Sequence, residues 1–413
     1  MNLITLAIPF FFLFIGIEVL LARRYYRFSD SIGDLACGVV QQVLGVFTAG
    51  TLALAYVYIY KHHALLTLSP SSPLAWVVLF LGVDFFYYWF HRLSHEINFL
   101  WAIHVVHHQS EEYNLTVALR QAAFQPLVSW VFYLPLALVG FPPAMFATIY
   151  SLNIIYQFWI HTRAIPKLGA LEWVINTPSH HRVHHGSDTK YLDRNHAGTL
   201  IIWDRLFGTF QEEEEEPRYG VTRPLRSFNP LWANFHSFVA LYNDARALPR
   251  LRDRLLLWIM PPGWWPMDAP PRKPLREPFD PPTTWRMRLY VLAHFIPATL
   301  LASALLVIAR RLPAWETAAL ACAVVLTLFT LGALLDNPTV RVAGIAVVVL
   351  GVLAYVESFA DGVHTSIPAP GIGALGAGRG GKSSNLARAL NRLGVTADDV
   401  ADTGETRMAN QAG

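Results

Sequence analysis

Residues 74–96 read LAWVVLFLGVDFFYYWFHRLSHE, an apolar run over 74–90 that ends in two histidines, His91 and His95. Crossing a bilayer takes roughly 20 predominantly apolar residues, so this run predicts a membrane-spanning helix. Four-residue spacing on that helix puts both imidazoles on one face, about one turn apart. The stretch therefore predicts a transmembrane helix that delivers two metal-type ligands to one membrane face.

The rest of the chain agrees with that reading. Of its 413 residues 54% are hydrophobic and only 15% are charged, with a mean hydropathy of +0.34, whereas soluble domains carry about 25% charged residues. A formal net charge of +3 gives no basic surface able to neutralise many phosphates, so the expected partner is a bilayer and not nucleic acid. Cys37 and Cys322 both sit in apolar runs and read as small buried side chains, not as a disulfide or a thiolate site.

Further apolar segments cover residues 3–22, 32–60, 126–139, 144–160, 289–309, 314–335 and 340–355, about eight in all by the window rule. The first lacks a basic start or a small-residue cleavage site and reads as a signal anchor. Gly140-Phe141-Pro142-Pro143 is a turn-forming tetrapeptide that predicts a tight hairpin of 126–139 with 144–160. Arg23, Arg24 and Arg27 follow the first segment, and basic residues at membrane ends stay cytosolic. The N-terminus is then outside and every histidine cluster lies at the cytosolic face, of a bacterial inner membrane or an endoplasmic reticulum. The expected domains are N-terminal membrane helices (1–73), a histidine-box core (74–215), a Pro- and Trp-rich cytosolic or interfacial region (216–288), C-terminal membrane helices (289–358) and a flexible Gly-rich tail (359–413).

Two further clusters join His91 and His95. His104, His107 and His108 stand at i, i+3 and i+4, and His181, His184 and His185 repeat that pattern, each set reading as one helix face. Eight imidazoles exceed what one four- to six-coordinate ion holds, so two ions are the economical reading. His161, closing the Gln157-Phe158-Trp159-Ile160-His161 stretch, is the ninth candidate ligand. Glu96, adjacent to His95, is the candidate catalytic carboxylate, to orient an imidazole or relay protons. His180, Gln157, Asp84, Asp204 and His196 are supporting candidates, while His62, His63, His236, His294 and His364 are isolated and read as structural. Two adjacent irons can supply electrons for O2 cleavage, and an all-nitrogen shell leaves positions open for oxygen. Zinc competes at the level of the ion, and a membrane metal-binding or transport protein competes at the level of function. Transport predicts ionisable residues along a path through several segments, whereas these histidines gather at one end.

Two stretches carry less. The run Glu212 to Glu216 reads as a solvated loop, and Trp258, Trp264 and Trp265 among prolines suit a membrane interface. Gly376 to Ser383 matches the phosphate-binding loop pattern letter for letter, but that loop needs a preceding strand and an NTPase domain around it; a flexible tail is the reading taken.

Through His91-x3-His95, His104-x2-His107-His108 and His181-x2-His184-His185 the chain resembles the fatty acid hydroxylase and sterol desaturase superfamily of membrane di-iron enzymes over about residues 84–210. Within it the alkylglycerol monooxygenase subgroup is the nearest resemblance. It rests on the stretches Gln157 to Thr162, Asn176 to Gly186 and Trp203 to Phe210, and on the apolar C-terminal third. The resemblance implies two iron ions, tetrahydrobiopterin as reductant, and O2-dependent hydroxylation of the carbon beside the ether oxygen of an alkylglycerol lipid. The hemiacetal so formed would collapse to an aldehyde and glycerol. Gln157 stands where some fatty acid hydroxylases carry another histidine, and no residue is assigned to a pterin. The alternative within the superfamily is a sterol, fatty acyl or carotenoid hydroxylase or desaturase with a protein electron donor. The fold expected is all-α: a multi-pass transmembrane bundle with a cytosolic helical cap holding a histidine-rich di-metal site.

Overall fold

The computed structural model describes residues 3–268 and 278–337. Among these the fold is all-α, apart from one isolated antiparallel bridge between Ile175 and Leu200. In a bilayer the backbone must satisfy its own hydrogen bonds, which favours continuous helices. The first three helices are α1 (Leu3–Ala22), α2 (Phe28–His63) and α3 (Pro73–Glu96). Short helices follow: α4 (Asn98–His108), α5 (Leu115–Ala118), α6 (Pro126–Ser129), α7 (Leu134–Val139), α8 (Pro143–Tyr156), α9 (Pro178–His184) and α10 (Ile202–Phe207). The chain then runs through α11 (Pro230–Ala247), α12 (Leu251–Leu256), α13 (Trp285–Ile308) and α14 (Ala314–Asp336).

Among the described residues five helices, α1, α2, α3, α13 and α14, are long and apolar enough to cross a membrane, which makes this a multi-pass membrane protein. Their starts are encoded locally. Ser72 caps α3 by accepting from Ala75 N, with Pro73 in the first turn, and Thr284 caps α13 by accepting from Met287 N; both arrangements satisfy amides that the helix leaves unpaired. Helix α2, with 36 residues, is about 54 Å long and outreaches a hydrocarbon core of about 30 Å.

Because the spans alternate in direction, the C-terminal ends of α1, α3 and α14 and the N-terminal ends of α2 and α13 share one face. Contacts confirm it: the Arg288 guanidinium lies over the Phe28 ring, and Asp336 accepts from Ser227 and Phe228 N. Ile32, Val40, Phe295, Ala302, Val324 and Leu328 knit α2, α13 and α14 into one core. A second core joins Leu79 and Val83 of α3 to Leu136 and Met145 of the α7–α8 hairpin.

The predicted hairpin is present, but its first arm is broken into α6, a 3-10 turn (Trp130–Tyr133) and α7, and α8 has only 14 residues. Neither arm reaches the length of the five spans. The tip still arrives at the far side, where Leu65 N and Leu66 N donate to Leu138 O and Val139 O just beyond the end of α2. Gly140 turns there at φ +114°, and a Cβ on it would sit 2.0 Å from Leu66 O, so only glycine fits.

Two expectations change. The run Glu212 to Glu216 is not simply solvated: Glu213 is buried against Arg182, and its neighbours pair with Lys167, Lys190 and Arg163. Cys322 faces outward from α14, while Cys37 is buried. Trp258, Trp264 and Trp265 pack against a small core around Leu241, Leu248 and Leu257. The segment 340–355, the tail, His364 and the Gly376 to Ser383 motif lie outside the described residues.

Candidate metal centre

Helix α3 carries His91 and His95 past its last membrane-facing turn, and Ile97 ends α3 and begins α4. This tight corner folds His104, His107 and His108 back over His91 and His95. His161 arrives from the turn after α8, and α9 brings His181 and His184 with His185 at its C-cap. All nine are buried.

They form two groups, each with ligand nitrogens within 4.8 Å of one another: His91, His95, His104, His108 and His184 in the first, and His107, His161, His181 and His185 in the second. The one-face reading of each cluster is thereby refined. His104 and His108, one turn apart, go to the first group and His107 to the second, while His181 and His185 go to the second and His184 to the first. Successive residues on a helix differ by about 100°, so the two partners of each i, i+3, i+4 set diverge to opposite sides. The groups touch where the His108 and His185 rings stack at 4.3 Å.

Hydrogen bonds dictate where the lone pairs point. His91 Nδ1 donates to His196 O at 2.8 Å, His107 Nδ1 to Arg120 O at 3.0 Å, His161 Nδ1 to Gln157 O at 2.7 Å and His184 Nδ1 to Arg194 O at 2.9 Å. His104 Nδ1 donates to Gln125 Oε1 at 2.9 Å. A ring that spends its proton on Nδ1 presents a bare lone pair at Nε2. Yet His91 and His104 bring their Nε2 atoms to 3.0 Å of each other, and His107 and His161 to 3.1 Å. Charging one ring is no remedy, since burial pushes His104 and His161 down to about 4 and holds His107 well below the ordinary imidazole range. Nε2 of His95, His184 and His185 is buried without a partner. Facing lone pairs in a dry site repel unless a cation lies among them. The donor set thus fits cations held through nitrogen, and each of the two groups could hold a metal ion.

The loop 193–196 serves the first group. Its carbonyls orient His91 and His184, and the Asp193 carboxylate lies 3.4 Å from His95 Nδ1. Asp193 and Asn195 adopt φ of 56° and 54°, a left-handed conformation that costs energy outside glycine and that clusters at functional sites. Asn195 is held there through His180 O, Gln211 O and Gln211 N. Asp204 accepts from His196 N and Ala197 N, each at 2.8 Å, and Asp84 accepts from Thr199 N, Leu200 N, Trp203 Nε1 and Asn153 Nδ2. Burial raises Asp204 to about 6 despite these donors.

Other sequence candidates fall around the centre. Glu96 is ion-paired with Arg92 at 2.8 Å and is 41% exposed; the carboxylate beside His95 is Asp193 instead. His180, one position from His181 and so turned about 100° away, packs on Phe210. His196 is fully buried, beside the first group without joining it. The Gln157 side chain donates to Asn153 while its carbonyl orients His161. His62 and His63 contact Tyr58, His236 contacts Trp232 and His294 contacts Tyr290, all away from the centre. Sequence reasoning missed Asp193, Gln125 and Arg120. Arg120 is buried, bonds Val106 O, Asp34 and Gln109, and lends its carbonyl to His107. A charged residue within the mostly apolar stretch 115–124 was the available signal.

The fatty acid hydroxylase family pattern matches residues 76–209, the segment that carries all nine histidines. Over 354 residues the chain is 38% identical to the alkylglycerol monooxygenase of Homo sapiens, covering 80% of this chain and 77% of that protein. The alkylglycerol monooxygenase of Xenopus tropicalis is 42% identical over 304 residues, 70% of this chain and 68% of its own. The chain belongs to the alkylglycerol monooxygenase family. Membership in this family extends well outside the histidine-bearing segment, whereas the ornithine lipid hydroxylase OlsE of Rhizobium tropici is 32% identical over only 33% of this chain. No solved structure matches.

Proposed function

We propose that the protein is a di-iron monooxygenase that cleaves the ether bond of alkylglycerol lipids, with tetrahydrobiopterin as the electron donor. The observation that carries this reading is the pair of buried histidine groups, five and four imidazoles with converging lone pairs, in a chain related over most of its length to alkylglycerol monooxygenases. His91, His95, His104, His108 and His184 would hold one iron, and His107, His161, His181 and His185 the other. Such a pair supplies reduction of O2 and oxidation of an unactivated C–H bond. The chain's own part is to fix the donors through the carbonyls of Arg120, Gln157, Arg194 and His196, to hold Asp193 beside His95, and to keep bulk water out of a fully buried centre.

In the overall reaction one oxygen atom enters the C–H bond beside the ether oxygen. The other leaves as water with two electrons from the pterin and two protons. The resulting hemiacetal breaks its C–O bond to release an aldehyde and the glycerol hydroxyl. Arg23, Arg24 and Arg27 lie at the membrane end shared with the centre, which supports a cytosolic orientation.

The test is aerobic turnover of a long-chain alkylglycerol by iron-loaded protein in nanodiscs, with and without tetrahydrobiopterin, scoring aldehyde release alongside His104→Ala. Pterin-dependent aldehyde that vanishes in the variant supports the reading. No aldehyde from protein verified to hold two irons refutes this substrate and donor.

A further inference from the structure

Helices α11 and α12 present outward a surface of the kind expected on a membrane span, although neither is one of the five spans. On α11 the residues Trp232, Phe235, Val239 and Tyr242 form one stripe, 39%, 48%, 41% and 53% exposed. On α12 and the turn after it Leu251, Leu255 and Ile259, spaced by four, are 69%, 64% and 62% exposed. The opposite faces are spent on packing: Ala233, Leu241, Ala245, Leu248 and Leu257 are buried, several of them against Ala102 of α4. A contiguous stripe of this size on a soluble face is a binding surface or an aggregation liability.

Both ends of the pair are pinned at the membrane boundary. Phe228 N, just before α11, donates to Asp336 at the end of α14. Beyond α12, Met260 O and Trp258 O accept from Asn98 N and Phe99 N at 3.0 and 2.9 Å, two residues past the end of α3. The pair is therefore strung between the ends of two spans, at the level where hydrocarbon gives way to headgroups. Arg246, Arg250, Arg252 and Arg254 accompany the exposed stripes, against Asp244, Asp253 and the Asp268 that pairs with Arg250 at 2.7 Å. Apolar and aromatic residues on one face with arginines beside them is the pattern of a helix lying in an interface, and the arginine excess favours anionic lipid.

We propose that α11 and α12 form a shelf embedded in the plane of the protein's own bilayer, its apolar stripes at the boundary of acyl chains and headgroups and its arginines among anionic phospholipids. The continuity of the stripes with the span ends points to lipid as the occupant. This shelf adjoins α4, which carries three of the nine histidines, through Phe99 against Phe238 at 5.9 Å.

The experiment uses the full chain in nanodiscs of phosphatidylcholine alone or with phosphatidylserine. On a Cys322→Ser background, a polarity-sensitive fluorophore is placed at Phe235→Cys or Leu255→Cys, with Leu20→Cys as the lipid-facing control and Arg218→Cys as the water-facing one. Nitroxide-bearing lipids should quench positions 235 and 255 as strongly as position 20, and aqueous iodide should quench them several-fold less than position 218. Phosphatidylserine should deepen the lipid quenching at 255, and the triple variant Arg250→Gln, Arg252→Gln, Arg254→Gln should abolish that increment. Iodide access equal to position 218 would overturn the proposal by placing the face in water. Protection from both quenchers would overturn it in favour of a protein cover, a second copy or residues 338–413. Equal quenching in both lipid mixtures would overturn the anionic-lipid assignment.

Discussion

The nine imidazoles at the centre and the Asp84 and Asp204 carboxylates near them are equally buried but differently satisfied. Asp84 accepts four hydrogen bonds, which fills its acceptor sites, and Asp204 accepts three, which leaves it one. His91, His107, His161 and His184 spend Nδ1 on backbone carbonyls, and Nε2 faces Nε2 between His91 and His104 and between His107 and His161. Hydrogen-bonded carboxylates form the frame, and the unsatisfied imidazoles are where the proposed metal ions would bind. Mutations in the two regions should accordingly fail in different ways.

The largest effect is expected at Asp84. Asp84→Leu strands four donors, each costing about 1–3 kcal/mol when left buried and unpaired. A loss of several kcal/mol is expected, read as a steep fall in unfolding temperature in detergent whether or not metal is present. If that variant kept its stability and merely lost metal, the division between frame and ligands would be broken.

His107→Ala comes next and should behave in the opposite manner. It reduces the four-histidine group to three, so bound metal should fall from two per chain to about one. Unfolding of the metal-free form should shift far less than in Asp84→Leu. Metal analysis by mass spectrometry after gel filtration checks the count, and loss of both ions would mean that the two groups are not separable.

The metal-free protein should also be acid-sensitive within a defined window. Burial lowers His104 and His161 to about 4 from an ordinary value of 6.5, so between those values the unfolded chain binds more protons than the folded one. The stability they contribute is fully present above pH 6.5 and is lost as pH falls towards 4. Chemical unfolding of the apo form across that range measures it, and a flat profile would contradict buried, neutral imidazoles. The smallest effect belongs to Glu96→Gln, which breaks a partly exposed pair with Arg92. Under about 1 kcal/mol and an unchanged metal count are expected.

Much of this was legible in the sequence because it depends on neighbours. Spans follow from runs of apolar residues, the hairpin from Gly140-Phe141-Pro142-Pro143, and the convergence of imidazoles from four-residue spacing. The division into five and four was not legible, because it depends on which side of α4 and α9 each group occupies. The same is true of Asp193, whose place beside His95 requires residues about a hundred positions apart to meet. Glu96 was the nearer carboxylate in sequence, but the helix carries it to the face of Arg92. Glu213 looked like one residue of an acidic loop until Arg182 was found beneath it, with bonds of 2.6 and 2.7 Å.

The most direct test of the account is anaerobic titration of the purified protein with ferrous iron, followed by Mössbauer and X-ray absorption spectroscopy. Two irons per chain in two distinguishable nitrogen-rich environments, one with more histidines than the other, is the predicted result. Saturation at a single iron, or a first shell dominated by protein oxygen or sulfur, would contradict it.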